Sequence, residues 1–145
     1  MDNEKKESFF TETIKFALIT LAIVLPIRLF IAEPFIVSGT SMQPTFEDGE
    51  YLIVDRLTYR FEDPLRGEVI VFRYPKDPSK YFIKRIVGLP GETVIIAGNK
   101  ITIKSDRNRG GFELDQSFIT RQSPSTVTTT LGKDEYFVMG DNRPA

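Results

Sequence analysis

From Phe16 to Ile27 the chain carries no charged side chain, and with Arg28 reaching toward an interface the apolar stretch extends to Ala32. No other run in the 145 residues is apolar for so long. A helix needs about 17–25 apolar residues to span hydrocarbon, so 16–32 sits at the lower limit. The aliphatic stems of Lys15 and Arg28 lengthen the effective span. Pro26 is tolerated near the end of a membrane helix. A buried helix of a soluble domain is the alternative the reading sets aside, since the run is apolar on all faces. It also lacks the small-x-small site of a cleaved leader, since Leu29 and Ile31 stand where small residues are needed. The expectation is a single-pass transmembrane anchor at 16–32, between an N-terminal segment 1–15 and a domain at 33–145.

Cations orient this anchor. Lys5, Lys6 and Lys15 precede or open the run, and after Arg28 no Lys or Arg occurs until Arg56. The positive-inside rule keeps the N-terminus cytoplasmic and places the domain on the outer face of the cell membrane. A net charge of −1 with no basic stripe gives no sign of a nucleic-acid partner. The chain has no histidine and no cysteine. Disulfides, imidazole bases, thiolate nucleophiles and His/Cys metal sites are therefore excluded.

After Glu50 the pattern is strands and turns. Tyr51–Val54, Glu68–Arg73, Tyr81–Val87, Thr93–Ala97, Lys100–Lys104, Thr126–Thr130 and Glu135–Met139 read as strands. Gly98-Asn99 between two β-branched runs predicts a hairpin. Thr126–Thr130 reads as an edge strand, and the polar, Gly-containing stretch Ser105–Gly111 as a loop. No helical period follows residue 40. The fold expected is mostly β: one transmembrane helix, then an antiparallel β domain.

Shortly beyond the anchor lies Ser38-Gly39-Thr40-Ser41-Met42-Gln43-Pro44-Thr45. Ser41, between Gly39 and Pro44, is placed to act as a nucleophile if a base takes its proton, and its N–H could help hold an oxyanion. The same composition also suits a plain turn. Without histidine the base must be Lys, Asp, Glu or Tyr. Lys84 stands out, inside the apolar strand Tyr81–Val87 and on the same face as Phe82 and Ile86. Desolvation there would lower its pKa, and a neutral amine can serve as base. An exposed outer row is the alternative. Arg85 points to the other face, where it can carry its charge to solvent. Glu47, Asp48 and Glu50 surround Gly49 and look like turn residues. Gly140-Asp141-Asn142-Arg143 reads either as a hairpin turn or as structural support for a site.

Together these segments resemble type I signal peptidase, the membrane-bound Ser–Lys protease family of bacteria. Ser38–Thr45 is similar to the nucleophile box, following Glu33-Pro34-Phe35. Gly49–Val54 and Arg66–Phe72 are similar to the family's next strands. Lys84–Glu92 resembles the general-base box, and Tyr136–Arg143 the start of the last box. The resemblance implies a serine endopeptidase with Ser41 as nucleophile and Lys84 as base. It also implies apolar pockets for small side chains, formed by Phe35, Val37, Met42, Phe82 and Ile83, and hence cleavage after Ala-x-Ala in signal-peptide-bearing preproteins. Gly39, Pro44, Gly140, Asp141, Asn142 and Arg143 would support the site. The resemblance implies no metal or cofactor, and the partners would be preproteins and the lipid bilayer. A non-catalytic tethered binder of exported chains and a specialised processing peptidase of the same family are the alternatives. Soluble Ser–Lys proteases share the dyad, but the anchor argues against them.

Two positions depart from the family pattern. Gly39 stands where some members carry a hydroxyl that donates a second hydrogen bond to the oxyanion. The last box normally continues into Ser-x-Asp-Ser-Arg, whose serine orients the lysine, whereas this sequence stops at Pro144-Ala145. A C-terminally truncated β domain is therefore expected, unstable or nearly inactive, with an exposed edge strand and a poorly positioned Lys84. The expectation is checked by thermal unfolding. A C-terminally extended version should melt higher, and equal melting would contradict it.

Overall fold

A computed structural model describes residues 2–117 and 125–143. The chain falls into two compact units, one comprising Met1–Phe35 with Ile53–Glu62 and the other Ile36–Leu52 with Asp63–Ala145.

The first unit is built on helix α1, Asp2–Pro26, extended by a π-helical turn at Ile27–Ile31. Its stretch Phe9–Pro26 is long and apolar enough to cross a membrane, and none of it is buried within the protein. The helix thus begins well before Phe16. The chain has already turned into strand β1, Ala32–Ile36, where the sequence reading placed the end of the anchor. The π turn ends because Ala32 adopts extended geometry while its N–H still donates to Ile27 O. In the same unit Arg56 N–H donates to Ile31 O at 2.9 Å, and Arg56 pairs with Glu33 at 3.3 Å. Strand β2, Tyr51–Asp55, pairs with β1. A single 3-10 turn at Thr58–Arg60 follows it.

The second unit contains two antiparallel sheets. One has the order β3-β4-β9, with β3 Val69–Tyr74, β4 Asp77–Gly88 and β9 Phe137–Met139. The other has the order β7-β6-β5-β8, with β5 Thr93–Gly98, β6 Lys100–Ser105, β7 Asn108–Glu113 and β8 Ser125–Thr130. The hairpin expected at Gly98-Asn99 is present, with Ala97 paired to Lys100 and Gly98 at φ +58. That turn fixes a register in which Val94 faces Ile103 and Ile96 faces Ile101. These four are fully buried while Ala97 and Lys104 are exposed, the period of two that pleated strands impose. Val87 and Leu131 complete the core, and Leu114, Phe137 and Met139 pack against it. The end of β4 and all of β9 are thereby held against the second sheet. Gly88 sits where no side chain fits, since a Cβ would lie 2.5 Å from Val94 Cγ2.

Two expectations need correction. The stretch Ser105–Gly111 is not simply a loop. Its second half begins β7, which pairs Phe112 with Ile103 and Glu113 with Thr102. A polar edge strand relies on backbone bonds rather than apolar alternation, which hides it from pattern reading. Gly111 is required there, at φ +77 with a would-be Cβ 3.0 Å from Ile103 O. Arg85 does not carry its charge to solvent, as the site geometry shows below. Among the described residues Thr126–Thr130 is an edge strand, as β8 pairs there with β5 alone.

Truncating Ile101 to alanine removes a side chain with no exposure from the centre of this core. The expected loss is about 2–5 kcal/mol. Val127→Ala on the half-exposed edge strand should cost under about 1 kcal/mol by the same reasoning. Urea unfolding followed by circular dichroism measures both.

Candidate active site

Residues 38–48 form a loop closed at its neck by two backbone bonds, Val37 N–H to Glu50 O and Gly49 N–H to Val37 O, each 2.9 Å. The acidic residues flagged in the sequence shape this loop. Asp48 Oδ1 accepts from Gly39 N–H at 2.7 Å, and Glu50 Oε2 accepts from Glu47 N–H at 2.9 Å. Gly39 adopts φ +96, a conformation other residues rarely take. Inside the loop, Gln43 N–H donates to Thr40 O at 3.2 Å and Phe46 N–H to Met42 O at 3.0 Å. Ser41 therefore sits at the start of a tight turn. Met42, 1% exposed, roots that turn in the interior. Pro44, next in the turn, is exposed and follows a cis peptide bond.

Lys84 comes to Ser41 from β4. Its partner across the sheet is Ile70, and its Nζ donates a hydrogen bond to Ser41 Oγ. These residues are 43 positions apart in sequence. Lys84 is half-buried, and burial lowers its amine pKa below the ordinary lysine value, while the Asp141 carboxylate acts in the opposite direction. On the same face, Phe82 stacks on Tyr74 with ring centroids 4.6 Å apart and meets Phe72 edge-on at 6.3 Å. Neither Tyr74 nor Phe72 was singled out by the sequence. Their positions on β3, in register with β4, become visible only once that pairing is known.

The segment after β9 braces both partners. Gly140 lies against Ser41, and a Cβ there would stand 2.4 Å from Ser41 O. Asn142 donates from its backbone N–H to Ser41 O and from Nδ2 to Thr40 O, both at 3.0 Å. Asp141 has no solvent exposure and is answered by Arg85, whose Nε reaches Oδ1 at 2.9 Å and Nη2 reaches Oδ2 at 2.6 Å. Arg85 Nη1 also donates to Gly67 O at 2.7 Å. This is the physical reason Arg85 turns inward: a buried carboxylate requires a cation, and the next residue along from Lys84 supplies it from the opposite face. Arg143 is half-buried, and burial weighs on its charged form against the favourable pull of Asp141. Its Nε and Nη2, like Asn142 Oδ1, are buried with no hydrogen-bond partner among the described residues.

Of the residues named from sequence, Ser41, Lys84, Gly140, Asp141 and Asn142 thus meet in one constellation, with Arg85 and Thr45 added to it. Val37 is buried at the loop neck, and Ile83 is half-buried across from Val71, on the face away from Lys84. Phe35 is half-buried on β1, in the other unit. Among the described residues no group of three or more Asp or Glu is arranged to hold a metal ion.

The family model described as signal peptidase, peptidase S26, matches residues 10–145. Signal peptidase I P of Bacillus subtilis subsp. natto is 34% identical over 148 residues, covering 98% of this chain and 80% of the relative. Signal peptidase I of Leptolyngbya laminosa is 37% identical over 150 residues, covering 96% of this chain and 70% of the relative. Signal peptidase I of Pseudomonas aeruginosa is 40% identical over 179 residues, covering 99% of this chain and 63% of the relative.

Gly140→Ala should push Ser41 away, because the obstructing atom is a backbone oxygen that cannot rotate aside. Overpacking of this kind costs about 1–3 kcal/mol. The urea midpoint should fall accordingly, and an unchanged midpoint would show that the turn yields freely.

Proposed function

The chain belongs to the signal peptidase family, peptidase S26, a family of serine endopeptidases, and on that premise we propose that it removes signal peptides by a Ser41–Lys84 dyad. The observation that carries this reading is the hydrogen bond between Lys84 Nζ and Ser41 Oγ. It joins a hydroxyl in a tight turn to an amine whose proton is loosened by burial.

In the proposed cycle neutral Lys84 takes the Ser41 proton as Oγ attacks the scissile carbonyl carbon. The resulting oxyanion lies near the Ser41 N–H, which no hydrogen bond among the described residues engages. The tetrahedral species collapses as the Lys84 ammonium returns its proton to the leaving amine. Water, deprotonated by the same amine, then hydrolyses the acyl-enzyme. Asp141, Asn142 and Gly140 hold the turn while this happens. Gly39, whose N–H is already given to Asp48, brings no side-chain donor to the oxyanion.

Phe82, exposed on the face of Lys84, is proposed to supply apolar surface that admits alanine and excludes larger side chains by overlap, giving the Ala-x-Ala preference, and Val37, Met42 and Ile83 are kept in the pocket set on the family resemblance. Phe35 stays in this set on the family resemblance. Helix α1 is proposed as a single-pass anchor in the cell membrane, with a cytoplasmic N-terminus and the β domain on the outer face. Its apolar, unburied stretch Phe9–Pro26 supports that. The substrates would then be preproteins emerging at the same membrane.

Cleavage of a preprotein with an Ala-x-Ala site by the detergent-solubilised chain tests the mechanism. Ser41→Ala and Lys84→Ala should each lower kcat/KM by about 10²–10⁴-fold or more. Full activity in Lys84→Ala would refute the dyad, and substrate binding without product would favour a tethered binder. The pH profile has a determined sign. Lys84 acts only when neutral and its pKa is lowered by burial, so kcat/KM should rise with pH along a limb centred below the ordinary value of 10.5. A profile falling across that limb would contradict an amine base.

A further inference from the structure

Thr45 stands at the far end of the turn that begins with Ser41. It is an exposed residue, yet its hydroxyl points inward and donates to Asp141 Oδ2 at 2.6 Å. Its acceptor is a carboxylate with no solvent exposure, already gripped by two Arg85 N–H groups. Arg85 Nη2 makes a further long contact to Thr45 Oγ1 at 3.4 Å. A hydrogen bond to an ionised acceptor of fixed position is stronger than a neutral one and restricts direction as well.

The start of the turn is fastened differently, by Asn142 to Thr40 O and Ser41 O. Both fastenings come from consecutive residues, Asp141 and Asn142. The turn is therefore an arch whose two feet stand on the same dipeptide. If one foot is released, the peptide between Thr40 and Phe46 keeps its internal bonds but gains freedom to pivot about Asn142. That pivot moves Ser41 Oγ relative to Lys84 Nζ, whose strand is held independently by β3 and β9.

We propose that Thr45 is a positioning residue for Ser41, its hydroxyl latching the far foot of the nucleophile turn to Asp141 so that Oγ stays within reach of Lys84. The inference rests on the Ser41–Lys84 reading above. A valine would fill the same volume without the hydroxyl, and a serine would keep the hydroxyl without the methyl. A displacement of the nucleophile affects the chemical step more than substrate binding, since of the proposed pocket residues only Met42 lies in the turn.

The test compares Thr45→Val, Thr45→Ser and Ser41→Ala in the full chain, by two readouts. In preprotein cleavage, Thr45→Val should lower kcat by about 10- to 100-fold with KM nearly unchanged, and Thr45→Ser should restore most of kcat. In amide hydrogen exchange, Thr45→Val should speed exchange at Gln43 and Phe46 about tenfold or more. Amides of β5 and β6 should stay as in the parent, and Thr45→Ser should behave as the parent throughout. Unchanged exchange at Gln43 and Phe46 in Thr45→Val would overturn the latch, and so would an increase that spreads equally to β5 and β6. Persistent cleavage by Ser41→Ala would instead refute the nucleophile assignment while leaving the exchange comparison to judge the latch. Loss of cleavage in Ser41→Ala with normal kcat in Thr45→Val would uphold the nucleophile and reject the positioning role.

Discussion

A carboxylate cut off from water cannot remain ionised alone, and Asp141 is cut off completely. Its two oxygens are met side-on by Arg85, which thereby loses the option of facing solvent. Such a pair adds little net stability, because desolvation consumes most of the Coulombic gain. Its effect is on geometry. Arg85 is the neighbour of Lys84 on β4, and Asp141 is the neighbour of Gly140 and Asn142 after β9. Pairing the two fixes where the amine stands relative to the residues that grip the Ser41 turn. Removing either partner would leave a buried charge unanswered, which is far worse than never having had the pair. The Ser41–Lys84 contact is therefore coupled to an ion pair that includes neither residue.

The same constraint bears on the role proposed for the amine. A lysine needs partial desolvation to approach neutrality, yet a bare desolvated lysine beside a buried carboxylate would be held charged. At Lys84 burial outweighs the pull of Asp141 and lowers the pKa, while that carboxylate is paired with Arg85. Two cations side by side on one strand, facing opposite ways, divide the work. Arg85 pairs with Asp141, and Lys84 reaches the Ser41 hydroxyl.

The sequence revealed those parts of the structure that rest on local rules. Gly98-Asn99 announced the hairpin, alternating β-branched residues announced β5 and β6, and an uncharged run announced the helix. Ser41 and Lys84 stood out because a chain without histidine leaves few bases to choose from. Three features stayed hidden for physical reasons. Arg85 was read as solvent-facing because strand alternation tells which face a residue takes, not what lies on that face. Its partner is 56 residues away. Strand β7 stayed hidden because a polar edge strand needs only backbone pairing. The extension of the helix beyond the uncharged run stayed hidden because a charged residue such as Lys15 does not stop a helix, and Pro26 is followed by a π-helical turn rather than a break.

Gly140 shows how little room the arrangement leaves. It precedes the buried carboxylate, and its bare Cα is what permits the carbonyl of Ser41 to come against the chain after β9. That approach lets Asn142 reach two consecutive carbonyls of the turn. With a side chain at 140 the turn would ride outward, the Asn142 bonds would lengthen and the hydroxyl would leave the amine. The Gly-Asp-Asn run therefore works as a unit: space from the glycine, an electrostatic anchor from the aspartate and backbone recognition from the asparagine. Each supplies what the other two cannot.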